Sequence, residues 1–301
     1  MKTLFSTVVF TLLSISLIAQ SPVNLKLNLQ KGKIYTVKTT SKQVMQITAN
    51  GQQINMNLNT NTVVKYKVLK QENNIMDIEF KFDTIAQKSS SVMGTVETNS
   101  AKPGKEPLEK LMNKLSKYKL IAKISTSGKF VDFVNFGKFK DSVMLVLDSV
   151  PATKIDAAKK LADGLLKESA VKSMIEPLFA YLPENAVKIG DKWESSYVTT
   201  ANNMSILLAN TYILKSVDNK TATFSGTTET ESMPSNDPSA QMSMNLKGTS
   251  TSDGAIDIPT GLSLKTTTKT HFEGTMTVNN NGNKMEMPLK ADGDSETVMT
   301  K

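Results

Sequence analysis

From Ile54 onward every second residue is apolar or a threonine: Ile54, Met56, Leu58, Thr60, Thr62, Val64, Tyr66 and Val68, with mostly Asn, Thr and Lys between them. A period of two over that length predicts a β-strand with one face turned to a core. The stretch Val37 to Thr48 is also β-like and ends at Asn50-Gly51, a dipeptide suited to the positive φ angles of a type I′ turn. The pattern therefore predicts a long hairpin over residues 34–70. Asn73-Asn74 marks the next turn, and Met76, Ile78, Phe80 and Phe82 put apolar side chains on one face of a third strand.

Residues 89–107 are small and polar, with Pro103-Gly104 as a breaker, and read as a loop or strand end. Leu108, Leu111, Met112 and Leu115 then follow the spacing of an amphipathic helix. Leu120 to Asn135 returns to β character around a Ser127-Gly128 turn. Its tail places Phe130 on one face and Val131 with Phe133 on the other, as in a strand covered on both sides. Residues 138–182 differ in kind. Ile155, Ala158, Leu161, Ala162 and Leu165 keep a three-and-four spacing, which Val171, Met174, Ile175 and Leu178 repeat. Pro151 and Pro177 bracket or kink these helices.

From Val187 the β pattern resumes as Trp193 to Thr199, Met204 to Val217, a turn at Asp218-Asn219, and Ala222 to Thr230. Residues 233–240 carry Pro234, Asn236, Asp237 and Pro238, which is loop chemistry. Strands are predicted around Met242 to Leu246, over Leu262 to Val278, over Met285 to Leu289 and over Ser295 to Thr300, with a hairpin tip at residues 279–283.

A repeat organises these elements. Lys31-Gly32-Lys33-Ile34-Tyr35 returns as Ile189-Gly190-Asp191-Lys192-Trp193. Downstream of each copy lie Tyr66 to Lys70 or Tyr212 to Lys215, and then Ser125 to Asp132 or Ser250 to Asp257. Three matches in one order predict a duplicated β unit. The expected organisation is a leader over residues 1–20, a first β unit over 21–137, a helical segment over 138–182 and a second β unit over 183–301. The fold class is α+β, with long antiparallel strands in one curved sheet or open half-barrel. The helices should lay their apolar stripe on its inner face, covering Ile54, Met56, Leu58 and Val64.

The leader reading rests on Met1-Lys2, an apolar run from Leu4 to Ile18 broken only by Ser and Thr, and Ala19-Gln20. This is the grammar of a cleavable secretory signal peptide, and the run is too short for a membrane span. A soluble exported protein, periplasmic or extracellular, is expected. The chain has no cysteine, so it holds no disulfide and no lipoprotein-type acylated cysteine. About 280 residues remain after the leader, enough for one large β-rich domain or two ordinary ones.

Charge narrows the partners. The net charge is +8, and all 36 basic residues are lysines, spread along strands rather than clustered with aromatics. Nucleic acid is therefore not expected as a partner, because arginine is the preferred bidentate reader of guanine and phosphate.

Catalytic candidates are few. His271 is the sole histidine, and it shares a predicted solvent face with Lys265, Lys269 and Glu273, without a GxSxG elbow. One His and no Cys exclude the usual zinc ligand sets. Asp253, Asp257, Asp292, Asp294 and Glu296 make no EF-hand spacing, and Asp292-Gly293-Asp294 reads as a surface turn. No carboxylate pair is marked, and one Trp with 6% aromatic residues is sparse for sugar stacking. The sequence therefore marks no catalytic, cofactor-binding or metal-ligating residue. Tyr35 and Trp193 read as core anchors rather than a ligand platform. Met45, Met56, Met76, Met242 and Met244 read as core filling more than as a cavity lining.

With its Gly32/Tyr35 and Gly190/Trp193 repeat, the run Pro183-Glu184-Asn185-Ala186-Val187-Lys188-Ile189-Gly190-Asp191-Lys192-Trp193, and Asp257-Ile258-Pro259-Thr260-Gly261-Leu262, the chain resembles a family of uncharacterised secreted proteins of Bacteroidota. That resemblance implies export and a β-rich fold over nearly the whole mature chain, and it carries over no catalytic residue. In architecture alone, a curved sheet filled by helices resembles periplasmic lipoprotein carriers and lipid-binding lipoproteins. The leading functional expectation is non-catalytic binding of a lipid or other apolar or amphipathic ligand in the cell envelope. The alternatives are a structural or protein-interaction component of the envelope, and a hydrolase with a carboxylate-based site.

Overall fold

A computed structural model describes residues 21–201, 204–233, 242–280 and 283–300. The expected leader over residues 1–20, most of the predicted 233–240 loop and the tip at 281–282 lie outside the described residues. Twelve strands form one antiparallel sheet among them: β1 (Ile34–Ala49), β2 (Gln52–Glu72), β3 (Ile75–Ser91), β4 (Gly94–Asn99), β5 (Lys119–Ser125), β6 (Phe130–Phe133), β7 (Lys192–Ala201), β8 (Met204–Val217), β9 (Thr221–Ser232), β10 (Met242–Asp257), β11 (Leu262–Asn280) and β12 (Asn283–Thr300). The spatial order is β6-β5-β3-β2-β1-β12-β11-β10-β9-β8-β7, with β4 beside β3. Helix α1 (Pro107–Leu115) precedes β5, and α2 (Phe136–Met144), α3 (Ile155–Leu165) and α4 (Glu168–Ile175) join β6 to β7.

First and last strands pair, Thr36 with Thr300 through Ile47 with Leu289, so the two β units share one sheet. The sheet stays open where β6 and β7 end it, and the helical segment spans that opening. Asn50 and Gly51 take φ of 51° and 77°, the two positive angles that let the long β1–β2 hairpin turn tightly.

The duplication is geometric as well as textual. Gly32 and Gly190 have φ of +80° and +88°, and their amides donate to equivalent carbonyls, Val68 at 2.9 Å and Leu214 at 2.8 Å. Tyr35 stacks on Tyr66 at 5.6 Å, and Trp193 on Tyr212 at 5.5 Å. The next strand pair of each unit is bulged at the matching place, Val68/Lys70 and Leu214/Ser216. A bulge adds twist and bends the sheet, so both units curve toward the same side.

Between them runs the main core. Tyr66, Phe80 and Phe179 meet edge to face or tilted at 5.5–6.2 Å. Leu111, Phe139, Val143, Ala162, Val171 and Ile175 bring the helices onto it. Leu25, Leu27 and Leu29 close one end, held by Leu27 N donating to Thr126 O at 2.7 Å and Asn28 N to Thr260 O at 3.0 Å. Gly128, at φ +83°, lies where a Cβ would stand 2.4 Å from the Phe179 carbonyl oxygen. Gly128→Ala is expected to cost about 1–3 kcal/mol from the backbone angle alone, and more from the clash. Urea denaturation should show a smaller loss for Gly51→Ala, where φ is +77° but no atom lies within 4 Å.

Several expectations are corrected. Of residues 89–107, 89–91 are the end of β3 but 94–99 form a further strand: β3 pairs with β4, Ala86 with Asn99 through Ser91 with Gly94. Phe130 and Phe133 lie on one face, 4.7 Å apart, because the register shifts at Lys123/Ile124, and Val131 is 48% exposed rather than covered. Asp292-Gly293-Asp294 is not a turn but mid-strand in β12. Gly293 sits between Gln43 and Thr270 of the neighbouring strands instead of at a chain reversal. The helices bury Val64 but leave Ile54, Met56 and Leu58 half-buried and outside the core. Length is the reason: β1, with 16 residues, is about 54 Å long, whereas helices of 8–11 residues reach about 12–17 Å.

Candidate functional site

Alternation sends the odd residues of β1 and the even residues of β2 to the inner face, and register aligns them with the strands beyond. One row reads Thr60, Ser41, Ser295, Thr268, Ser252. The next rows read Thr62, Thr39, Thr297, Thr266, and Gln43, Gly293, Thr270, Ser250, Thr228, Asn210. These hydroxyls and amides form a polar band across the concave side. On the core side of the band lie Val37, Met299, Tyr181, Tyr212 and Phe224. On the far side lie Leu208 and Phe272, then Met45, Met56, Met276, Met287 and Leu289, of which Met287 and Leu289 are buried but separate from the main core.

A cavity of about 400 Å³ occupies the band and the aromatic floor, lined by β1 and β7–β12 together with Pro177, Leu178 and Tyr181. Seven neighbouring strands laid flat would span about 29 Å, so one cavity touches them all because the sheet wraps around it. Glycines permit that wrapping. A Cβ on Gly226, Gly248 or Gly254 would fall 2.7 Å from the Tyr212 ring, 2.1 Å from Phe272 or 2.4 Å from Phe224. Each ring occupies the space over a glycine of a neighbouring strand.

Several band residues hydrogen-bond one another or an immediate neighbour. Thr39 and Thr297 hydroxyls are 3.0 Å apart, Ser250 and Thr270 3.0 Å, and Ser263 and Thr266 2.8 Å. Thr228 donates to Asn210 Oδ1 at 2.8 Å, and Asn210 Nδ2 donates to the Ser195 carbonyl at 3.2 Å. Burial pushes the Tyr212 phenol up to about 12 and raises Tyr197 and Tyr181, so all three are neutral donors near pH 7. Tyr181 donates to Gly261 O at 3.0 Å and accepts from Ser263 N at 2.6 Å. Asp294 contributes to the rim, but as an even residue of β12 it belongs to the outer face. The side chains that point into the cavity are uncharged.

The residues weighed from sequence fall elsewhere. His271 is on the outer face, half exposed, with Nδ1 2.7 Å from Asp292 Oδ1. Asp253 and Asp294 also belong to outward positions of their strands, Glu296 pairs with Lys265 at 2.7 Å, and Asp257 accepts from Thr260 at a strand end. Among the described residues no group of three His, Asp or Glu side chains is placed to hold a metal ion. Tyr35 is buried and accepts from Gln30 N at 3.0 Å, and Trp193 Nε1 donates to Tyr181 O at 2.9 Å. Met76 is in the core, whereas Met45, Met56 and Met244 are half-buried on the inner face beyond the band. Sequence reasoning missed the band itself. Its signal was present in the Ser and Thr residues at inward positions of strands whose flanks are apolar.

A second depression, about 820 Å³, lies between the β5–β6 turn and the outer face of β7–β9. It holds Glu176, Glu184, Glu194 and Glu229. Lys129 pairs with Glu184 and holds its carboxyl below the usual range, while Lys172 lies 3.5 Å from Glu176. Glu184, held ionised by Lys129, is not suited to act as a general acid.

Among solved structures, a lipovitellin described for its lipid–protein interactions matches 91% of the chain at 12% identity and a TM-score of 0.44, but the chain spans only 26% of that protein. An outer membrane channel of Pseudomonas putida F1 matches 91% of the chain and 97% of its own at 9% identity and a TM-score of 0.24. The outer membrane protein OprG of Pseudomonas aeruginosa matches 90% and 97% at 5% identity and a TM-score of 0.23. No curated protein matches the chain. A family of unknown function, DUF6263, matches residues 73–263, from the β2–β3 turn to the start of β11, and the chain belongs to that family.

Proposed function

We propose that the protein is exported and binds an amphipathic or apolar molecule, without catalysis, in the concave cavity of its sheet. The observation that carries this reading is the lining: an aromatic floor and an uncharged band of hydroxyls and amides that ends at Leu208 and Phe272, beyond which the inner face of the strands carries Met45, Met56, Met276 and Met287. A cavity of about 400 Å³ falls in the range of about 300–1,000 Å³ found for small-molecule sites. Tightly packed cores leave no such space, and a site for a charged ligand would carry counter-charges. Flexible methionines suit a partner with variable chains. The absence of cysteine fits an unanchored protein, and among the described residues no helix is long and apolar enough to cross a membrane.

The test is organic extraction of protein purified under native conditions, followed by mass spectrometry. A stoichiometric amphipath is expected from the wild type. It should be missing from Thr268→Trp, which fills the middle of the band from a half-buried inward position. Recovery of nothing from either, with no uptake of lauroyl compounds in solution, would sink the reading.

The alternative, a protein-interaction component of the envelope, is supported by the β3–β4 hairpin, where Val92, Met93 and Val96 are 85%, 83% and 68% exposed. One dominant envelope partner, captured by the wild type and lost with Met93→Asp, would favour it.

A further inference from the structure

One hydroxyl of the concave band is both buried and without a hydrogen bond. Thr230 is 6% exposed, lines the cavity, and its Oγ1 makes no hydrogen bond among the described residues. Its neighbours on every side are committed. Thr228 donates to Asn210, Ser250 is bonded to Thr270, and Ser232 Oγ accepts from Leu246 N at 2.8 Å. Across the strands Thr230 faces Gly248 on one side and Leu208 on the other, neither of which offers a side-chain partner. Buried polar groups are almost always satisfied, and an orphan of this kind asks for an explanation. Thr230 also sits where the band gives way to the apolar rim, level with Leu208, Phe272, Ala291, Met45 and Met56.

We propose that Thr230 is the anchor for the neutral polar group of a single-chain amphipath. The group is a hydroxyl or ester carbonyl that bonds Oγ1 after a rotation about χ1 turns that oxygen, closed off from the cavity in the ligand-free fold, toward it, and the chain runs over Leu208 and Phe272 toward the methionines beyond. This rests on the binding function proposed above and adds the ligand's class. Charge decides that class. The inward side chains of the cavity are hydroxyls, amides, phenols and apolar groups, so a carboxylate, phosphate or ammonium would be desolvated without a partner. A hydroxyl or ester meets donors and acceptors instead, because each Ser–Thr pair of the band keeps one free proton and spare lone pairs.

Three probes with one chain length separate the possibilities: 1-monolauroylglycerol, laurate at pH 8, and dodecyltrimethylammonium, each titrated by calorimetry into delipidated protein. The neutral ester is expected to bind at least tenfold more tightly than either ion. Thr230→Val keeps the shape and removes the hydroxyl. It should weaken the ester about tenfold, raise the melting temperature of the ligand-free protein by removing an unsatisfied buried hydroxyl, and leave the weak binding of the ions unchanged. Thr230→Ser should retain ester affinity. A purely structural threonine would do the reverse, lowering the melting temperature while sparing the ester. Equal affinity for laurate and the ester, or full ester affinity in Thr230→Val, would overturn the assignment while leaving cavity binding intact. Failure of all three probes would count against the binding function itself.

Discussion

Phe179→Ala is expected to lower stability by about 3–5 kcal/mol, the usual loss for a fully buried aromatic, against a total of about 5–15 kcal/mol for a typical domain. Phe179 is 0% exposed, and its ring lies 5.5 Å from Tyr66 and 6.2 Å from Phe80, both in the first β unit. Two residues later Tyr181 turns the other way. It stacks on Phe224 at 6.3 Å, and its backbone carbonyl accepts from Trp193, both in the second unit. The chain at 179–182 therefore joins the two units across the opening of the sheet. A cavity at Phe179 should loosen that junction as well as the core. Urea denaturation monitored by Trp193 fluorescence should show a lower midpoint, against a change within about 0.5 kcal/mol for Val131→Ala on the surface. Loss of less than about 1 kcal/mol would mean that the helical segment is peripheral to the core.

Most of the strand plan was readable because period-two patterning is local. Ile54 to Val68 declares its inner face without reference to any partner, and the structure follows it residue for residue up to Val68. The helix faces at Ile155 to Leu165 and Val171 to Ile175 were readable for the same reason. What failed was pairing over distance. Leu25, Leu27 and Leu29 alternate as in a strand, yet their backbone partners are two separate turns, at Thr126 and Thr260, so no local rule assigns them. Asp292-Gly293-Asp294 has the composition of a turn. Here Gly293 fills an inner position between Gln43 and Thr270, while Asp292 and Asp294 face outward beside His271, Lys42 and Lys269. The cross-strand context overrides the turn preference.

The cavity was less readable still. Methionines at 45, 56 and 244 read as core filling, since nothing local distinguishes a filled inner face from an empty one. Each cavity hydroxyl sits in a strand that also carries solvent-facing threonines, such as Thr267 beside Thr266 and Thr268. Inward Thr and outward Thr look alike until register sorts them. The repeat, by contrast, carried architectural information: Gly32 with Tyr35 and Gly190 with Trp193 each start a unit, and the Tyr that follows on the second strand stacks beneath.

Those stacked tyrosines set how the protein responds to alkali. Burial raises the phenols of Tyr66, Tyr181, Tyr197 and Tyr212 above the ordinary 10.0, with Tyr212 reaching about 12. Below pH 10 all four are protonated whether the chain is folded or not, and stability is unaffected. Above pH 10 the unfolded chain releases these protons while the folded chain retains them. The folded state then binds more protons, and stability falls as pH rises. Each phenol contributes a slope of up to about 1.4 kcal/mol per pH unit, so Tyr212 alone removes on the order of 3 kcal/mol once pH passes 12. Four together remove about 5 kcal/mol per unit, enough to unfold a typical domain between pH 11 and 12. Circular dichroism and phenolate absorbance should therefore change together in one cooperative step, rather than absorbance rising first. Tyr181→Phe separates the two roles of that residue. At pH 8 it should be less stable by about 1–3 kcal/mol, because Ser263 N and Gly261 O lose their buried partner. Above pH 10 the deficit should shrink, since one phenol no longer titrates. A deficit that stays constant to pH 12 would show that the Tyr181 phenol ionises as readily in the fold as outside it.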